Sequence, residues 1–90
     1  MSTQAGVGVS RHRNPKVAGQ EAAAKALGTG IACGVTFQDF AITHDENGKP
    51  ILNVSGQAKK RIDQLGINNI LISISDEQYY STATVLFESI

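Results

Sequence analysis

From residue 15 onward the hydrophobic positions fall into two helical and four strand-like runs. Pro15 suits a first helical turn with Asn14 as its cap, and the alanine-rich stretch from Val17 to Leu27 has high helix propensity, which predicts about three turns of helix. Gly28, Thr29 and Gly30 are expected to end it, because glycine tolerates the left-handed backbone of a helix C-cap. Val35 and Phe37, then Phe40 and Ile42, alternate with polar residues, and the slip in phase near Asp39 predicts a strand with a bulge. Asp45-Glu-Asn47-Gly48-Lys49-Pro50 is a turn signal, since Asn-Gly takes positive backbone angles and Pro50 cannot be hydrogen-bonded within a central strand. Ile51, Leu52 and Val54 continue as a short strand. Ser55 resembles an N-cap, Ala58, Ile62 and Leu65 lie at helical spacing, and Gly66 closes this second helix. Ile70, Ile72 and Ile74 form one alternating run and Ala83, Val85 and Phe87 another, separated by Asp76-Glu77-Gln78, as in an antiparallel hairpin whose return strand begins near Tyr79 and Tyr80.

This order predicts a single α+β domain over 15–90, two helices packed on a mainly antiparallel sheet. Residues 1–14 lack a sustained apolar period apart from Val7 and Val9, and are expected to be a flexible arm or at most one short edge strand. A chain of 90 residues buries only about 60 to 65% of its unfolded surface, so self-association is expected to complete a thin core.

Eight basic and eight acidic residues cancel, which removes any global pull toward nucleic acid or an anionic membrane and makes any phosphate site local. Cys33 is the sole cysteine, so neither an intramolecular disulfide nor a thiolate metal cluster can form. No apolar run approaches the roughly 20 residues of a membrane span, and the expectation is a soluble, cytoplasmic protein.

Glu21 and Lys25 carry the most suggestive chemistry. They stand one helical turn apart and admit two readings: a surface salt pair worth about 0.3 to 0.5 kcal/mol, or a metal-binding carboxylate beside a phosphate-binding ammonium. Gly28 follows its helix rather than preceding one, unlike a dinucleotide fingerprint, so it reads as a cap that also lets a ligand approach the backbone. His12 and His44 are isolated and lack zinc-ligand spacing, which makes both surface residues. Arg11, His12, Arg13 and Lys16 form a basic cluster that either solvates the arm or attracts an acidic partner.

Taken in order, Glu21-Ala-Ala-Ala-Lys-Ala-Leu-Gly-Thr-Gly-Ile, Val35-Thr-Phe-Gln-Asp-Phe, Asn47-Gly-Lys-Pro and Ser73-Ile-Ser-Asp-Glu, followed by Tyr80 and Ala83-Thr-Val, resemble the holo-acyl-carrier-protein synthases. The resemblance runs from about Gly19 to Ser89. It implies magnesium-dependent transfer of 4′-phosphopantetheine from coenzyme A to a serine of apo acyl carrier protein. It also implies that Glu21 ligates magnesium and helps activate the serine, and that Lys25 neutralises the diphosphate. Gly28, Asn47, Gly48, Lys49 and Pro50 would then line the adenosine and phosphate end of the coenzyme, with Asp76, a histidine in many members, across the site. Family members are homo-trimers with the site between subunits.

Two departures accompany the resemblance. Gln20 replaces a lysine that usually precedes the glutamate, and Gly6-Val-Gly8-Val-Ser10 only echoes the family's opening Gly-x-Gly-Thr-Asp strand, with Ser10 or no counterpart where the metal-binding aspartate belongs. The helices that hold the carrier protein have no room before Glu21, and Arg11, Arg13 and Lys16 replace their basic residues only in part. The alternative implied is a truncated, weak or inactive homologue that binds coenzyme A or assembles with other subunits.

Overall fold

The structure is a computed structural model that describes residues 5–28 and 33–90. Strand β1 (Ala5–His12) leads into helix α1 (Pro15–Leu27). A 3-10 turn (Phe37–Asp39) then opens the hairpin of β2 (Phe40–His44) and β3 (Pro50–Val54). Helix α2 (Gly56–Leu65) follows, and β4 (Asn69–Asp76) and β5 (Ser81–Glu88) close the chain as a second hairpin. All pairing is antiparallel, in a three-stranded sheet of order β1-β5-β4 and a separate β2-β3 ribbon whose β3 lies beside β4. The expected α+β class holds, with the sheet in two parts.

Residues 5–12, for which the sequence allowed a flexible arm, make a full eight-residue edge strand paired to β5 from Ala5↔Glu88 to His12↔Ser81. Its two glycines explain how. A Cβ on Gly6 would lie 2.0 Å from the carbonyl oxygen of Ala26, and one on Gly8 would lie 1.9 Å from that of Ala22. Strand and helix therefore touch backbone to backbone, and Ala18, Ala22, Ala23, Ala24 and Ala26, all buried, give α1 the slim profile that contact needs. Residues 1–4 lie outside the described residues.

Both helix stops fall where expected, with Gly28 at φ 82° and Gly66 at φ 71°. Asn14 caps α1 through its side-chain oxygen, which accepts from Lys16 N at 2.9 Å. Thr29 and Gly30 lie outside the described residues. The bulge expected near Asp39 is instead the 3-10 turn, because the Asp39 side chain is committed elsewhere. Its carboxylate accepts from the Thr36 hydroxyl at 3.2 Å and from Ala58 N, in the first turn of α2, at 3.1 Å. Asp39 thus does the capping expected of Ser55, whose side chain makes no cap bond. Tyr79 and Tyr80 lie in the turn before β5, where Tyr80 sits under the Arg11 guanidinium at 5.8 Å.

The alternation of β5 is complete: Ser81, Ala83, Val85 and Phe87 are buried under α1, joined by Phe40, Ile42 and Leu52 of the ribbon. Ala58 and Ile62 pin α2 to the same core. The opposite face of the three-stranded sheet stays open, and Val7, Leu86 and Leu71 are aligned there by strand register.

Candidate functional site

Glu21 and Lys25 share one stripe of α1 but do not pair; among the described residues the only ion pair within 4 Å is Lys59–Asp63. The salt-pair reading therefore fails. Lys25 reaches instead to the edge strand, where its Nζ donates to the Val9 carbonyl at 3.1 Å. The Glu21 side chain is half-buried, and its Oε1 is shut off from solvent with no hydrogen-bond partner among the described residues. A buried carboxylate oxygen without a donor costs several kcal/mol by the usual accounting unless something electropositive meets it. This oxygen is the one acidic orphan of that kind among the described residues.

Gln20, next in sequence, points elsewhere. Its Nε2 donates to the carbonyls of Phe37 and Phe40, both at 3.1 Å, and so ties α1 to the 3-10 turn and the start of β2. Ser10, on the β1 face that carries Gly6 and Gly8, is buried beneath α1.

The β2–β3 turn is locked by Asp45, whose Oδ1 accepts from Asn47 N at 2.8 Å and Lys49 N at 2.9 Å, with Gly48 at φ 80°. At the far end of β4, Asp76 accepts a hydrogen bond from the Ser81 hydroxyl. These elements converge on a cavity of about 200 Å³ lined by Gly48, Pro50 and Asp76 together with Lys16 and His44. Three of the sequence-expected coenzyme residues are thus together. Lys49 faces an adjoining cavity of about 320 Å³ between β3 and β4, with Pro50 shared, and Asn47 lines neither. Glu21, Lys25 and Gly28 line neither as well, so within one chain the expected site falls into two parts.

Sequence reasoning missed Lys16 and His44 as cleft residues. A signal existed for Lys16: the first turn of α1 carries no acid and one base, the reverse of what the helix dipole favours. His44 gave none beyond standing at the mouth of the turn.

A single carboxylate is a permissible metal ligand set when phosphate supplies the rest, because magnesium is commonly held by one or two carboxylates plus substrate oxygens and water. Glu21 with its orphaned oxygen fits that role. Among the described residues no group of three His, Cys, Asp or Glu side chains offers a self-sufficient metal site.

No protein-family profile matches the chain. Curated relatives do: it is 56% identical over 79 residues to the holo-[acyl-carrier-protein] synthase of Vibrio campbellii, covering 88% of this chain and 63% of that protein. Against the Vibrio cholerae enzyme of the same name it is 60% identical over 73 residues, covering 81% and 58%. The chain thus spans less than two thirds of the length of these relatives. Among solved structures, the Plasmodium yoelii holo-acyl-carrier-protein synthase superposes with a TM-score of 0.84 at 21% identity, covering 100% of this chain and 99% of that one. The Helicobacter pylori holo-[acyl-carrier-protein] synthase, solved in complex with coenzyme A, superposes with a TM-score of 0.72 at 19% identity, covering 93% and 99%. At such identities the superpositions speak for the fold, and the Vibrio proteins for ancestry. Over the stretch it shares with them, the chain belongs to the holo-[acyl-carrier-protein] synthase family.

Proposed function

We propose that the protein transfers the 4′-phosphopantetheine group of coenzyme A to a serine of apo acyl carrier protein, as a cytoplasmic homo-trimer that needs magnesium. The observation that carries this reading is the orphaned, buried Oε1 of Glu21, one helical turn from a Lys25 ammonium whose hydrogen-bond acceptor among the described residues is a neutral carbonyl. Both groups are poised to exchange weak or absent partners for a metal and a diphosphate.

Phosphoryl transfer is largely positioning and charge stabilisation. Glu21 holds the acidic end of the site and acts as the base that takes the serine proton as the serine oxygen bonds to the pantetheine-side phosphorus, while the diphosphate P–O bond breaks and adenosine 3′,5′-bisphosphate leaves. Lys25 swings from the Val9 carbonyl to the diphosphate, where an ammonium gains more from an anion than from a neutral acceptor. Magnesium, when bound at Glu21, would add Lewis-acid charge stabilisation at the phosphate oxygens. Gly28, with nothing among the described residues within 4 Å of a built Cβ, leaves the backbone open to the adenosine and phosphate end of the coenzyme. Gly48, Pro50 and Asp76, with Asn47 and Lys49 on the same turn, receive the adenosine and phosphate end.

The separation of these two parts within one chain favours a site completed between subunits. The open sheet face supports it: Val7 and Leu71 are 61% and 50% exposed and Leu86 lies between them, an apolar row suited to a symmetric contact.

Ser10, buried where a second carboxylate would stand, favours a second reading, a homologue that binds coenzyme A and transfers poorly. Incubation with apo acyl carrier protein, coenzyme A and magnesium, followed by mass spectrometry of the carrier, decides between them. The expected result is a carrier heavier by phosphopantetheine, lost in Glu21→Gln. Absence of the mass gain at high enzyme concentration, with coenzyme A binding intact by calorimetry, leaves the second reading standing.

A further inference from the structure

The exposed side of α2 and the loop at residues 33–35 enclose a cavity of about 400 Å³ that shares no lining residue with the cleft at Asp76. Gln57, Lys60, Arg61 and Gln64 form one wall, at the three- and four-residue spacing that places side chains on one side of a helix. Val35, 2% exposed, and Cys33 form the other. The loop is held to the helix by close contact: Gly34, at φ 82°, has no Cβ, and one built there would lie 3.2 Å from the Gln57 Cγ.

The charge in this cavity is one-sided although the chain is neutral overall. Both neighbouring acids are engaged elsewhere. The Asp39 carboxylate accepts from Ala58 N and from Thr36, and Asp63 pairs with Lys59 at 2.7 Å. No acidic side chain lines the cavity, and neither Lys60 nor Arg61 has a carboxylate within 4 Å among the described residues. A forked guanidinium, a mobile ammonium and two carboxamides facing one space match a ligand with several acceptor oxygens on one centre, while Val35 gives its body an apolar floor. We propose that this cavity is a second anion site, which takes a small phosphate- or carboxylate-bearing ligand between Lys60, Arg61 and the two glutamines.

The test is a titration of ¹⁵N-labelled protein with potassium phosphate, potassium acetate or potassium chloride at matched ionic strength, read at the Gln57 and Gln64 side-chain amides and the Arg61 Nε. A saturable shift with phosphate, with acetate or with both, and none with chloride, is expected, and the arm that saturates names the oxyanion. In the Lys60→Gln, Arg61→Gln double variant the midpoint should rise at least about tenfold, while Arg61→Lys, which keeps the charge and loses the fork, falls between. Both positions are exposed, and circular dichroism verifies that α2 is retained. Shifts that grow linearly with all three salts, or a saturable response unchanged in the double variant, overturn the proposal. Neither result depends on coenzyme A or acyl carrier protein, so the site is tested independently of the proposed transfer reaction.

Discussion

Replacing Gly8 with alanine tests the backbone contact between β1 and α1 that underlies the whole site. Gly8 lacks a positive φ, so alanine is conformationally acceptable there, and by chain entropy alone the change would stabilise the protein by about 0.4 to 1 kcal/mol. The packing argument gives the opposite sign. The new Cβ would stand 1.9 Å from the Ala22 oxygen, 2.6 Å from Ala26 N and 2.9 Å from the Ala22 carbonyl carbon, all backbone atoms that cannot rotate away. Ordinary contact begins near 3.4 Å, so strand and helix must part by about 1.5 Å. Overpacking of a rigid core costs about 1 to 3 kcal/mol, and this case lies at or beyond the upper end because neither side has a rotamer to change. For a domain of this size that lowers the thermal midpoint by more than about 10 °C. Thermal and urea unfolding followed by circular dichroism, at fixed protein concentration, measure it. Gly48→Ala is the control, with open space around it and φ 80°, and should lose only about 1 kcal/mol through backbone strain. A Gly8→Ala midpoint equal to or above that of the parent would refute the close-approach account of β1.

Other outcomes follow from single contacts. Asp39→Ala should destabilise by about 1 to 2 kcal/mol in urea because α2 loses its cap, whereas Ser55→Ala should be nearly neutral; the reverse order would show that the capping roles have been exchanged. Gln20→Ala removes the side-chain donor shared by the Phe37 and Phe40 carbonyls, the first of which keeps the Phe40 N–H, and should cost about 0.5 to 1.5 kcal/mol, while Gln20→Lys retains a donor and costs less. Leu71→Asp puts a charge at the β4 end of the open apolar row and should shift the protein toward monomer in light scattering; an unchanged mass would place the subunit contact on another surface.

Much of the fold was legible because its signals are local. Asn14 with Pro15, Gly28 and Gly66 mark helix ends through backbone geometry that each residue or its neighbour imposes. The alternation Ala83, Val85, Phe87 has the period of a strand with one buried face, and it is buried on that face. Asp39 was misread for an equally physical reason: the phase slip was visible, but its cause is a hydrogen bond to Ala58, 19 residues away. The site divides in the same manner. Gly48, Pro50 and Asp76 were found by motif and do share a cleft, while Lys16 and His44 join them only because α1 and β2 meet there.

The amino-acid sequence by itself determined the helix ends, both hairpins, the buried stripe of β5 and the family likeness, since each depends on residues close in the chain or on motif order. The tertiary structure alone decided what surrounds the reactive groups. Lys25 turns from Glu21 to a carbonyl 16 residues earlier, Gln20 turns to the 3-10 turn, and Gly6 and Gly8 are glycine because a helix carbonyl occupies the place of a side chain. Helical spacing makes an ion pair of Glu21 and Lys25 available, but a neighbouring strand supplies the competing acceptor. Only packing brings that strand within reach.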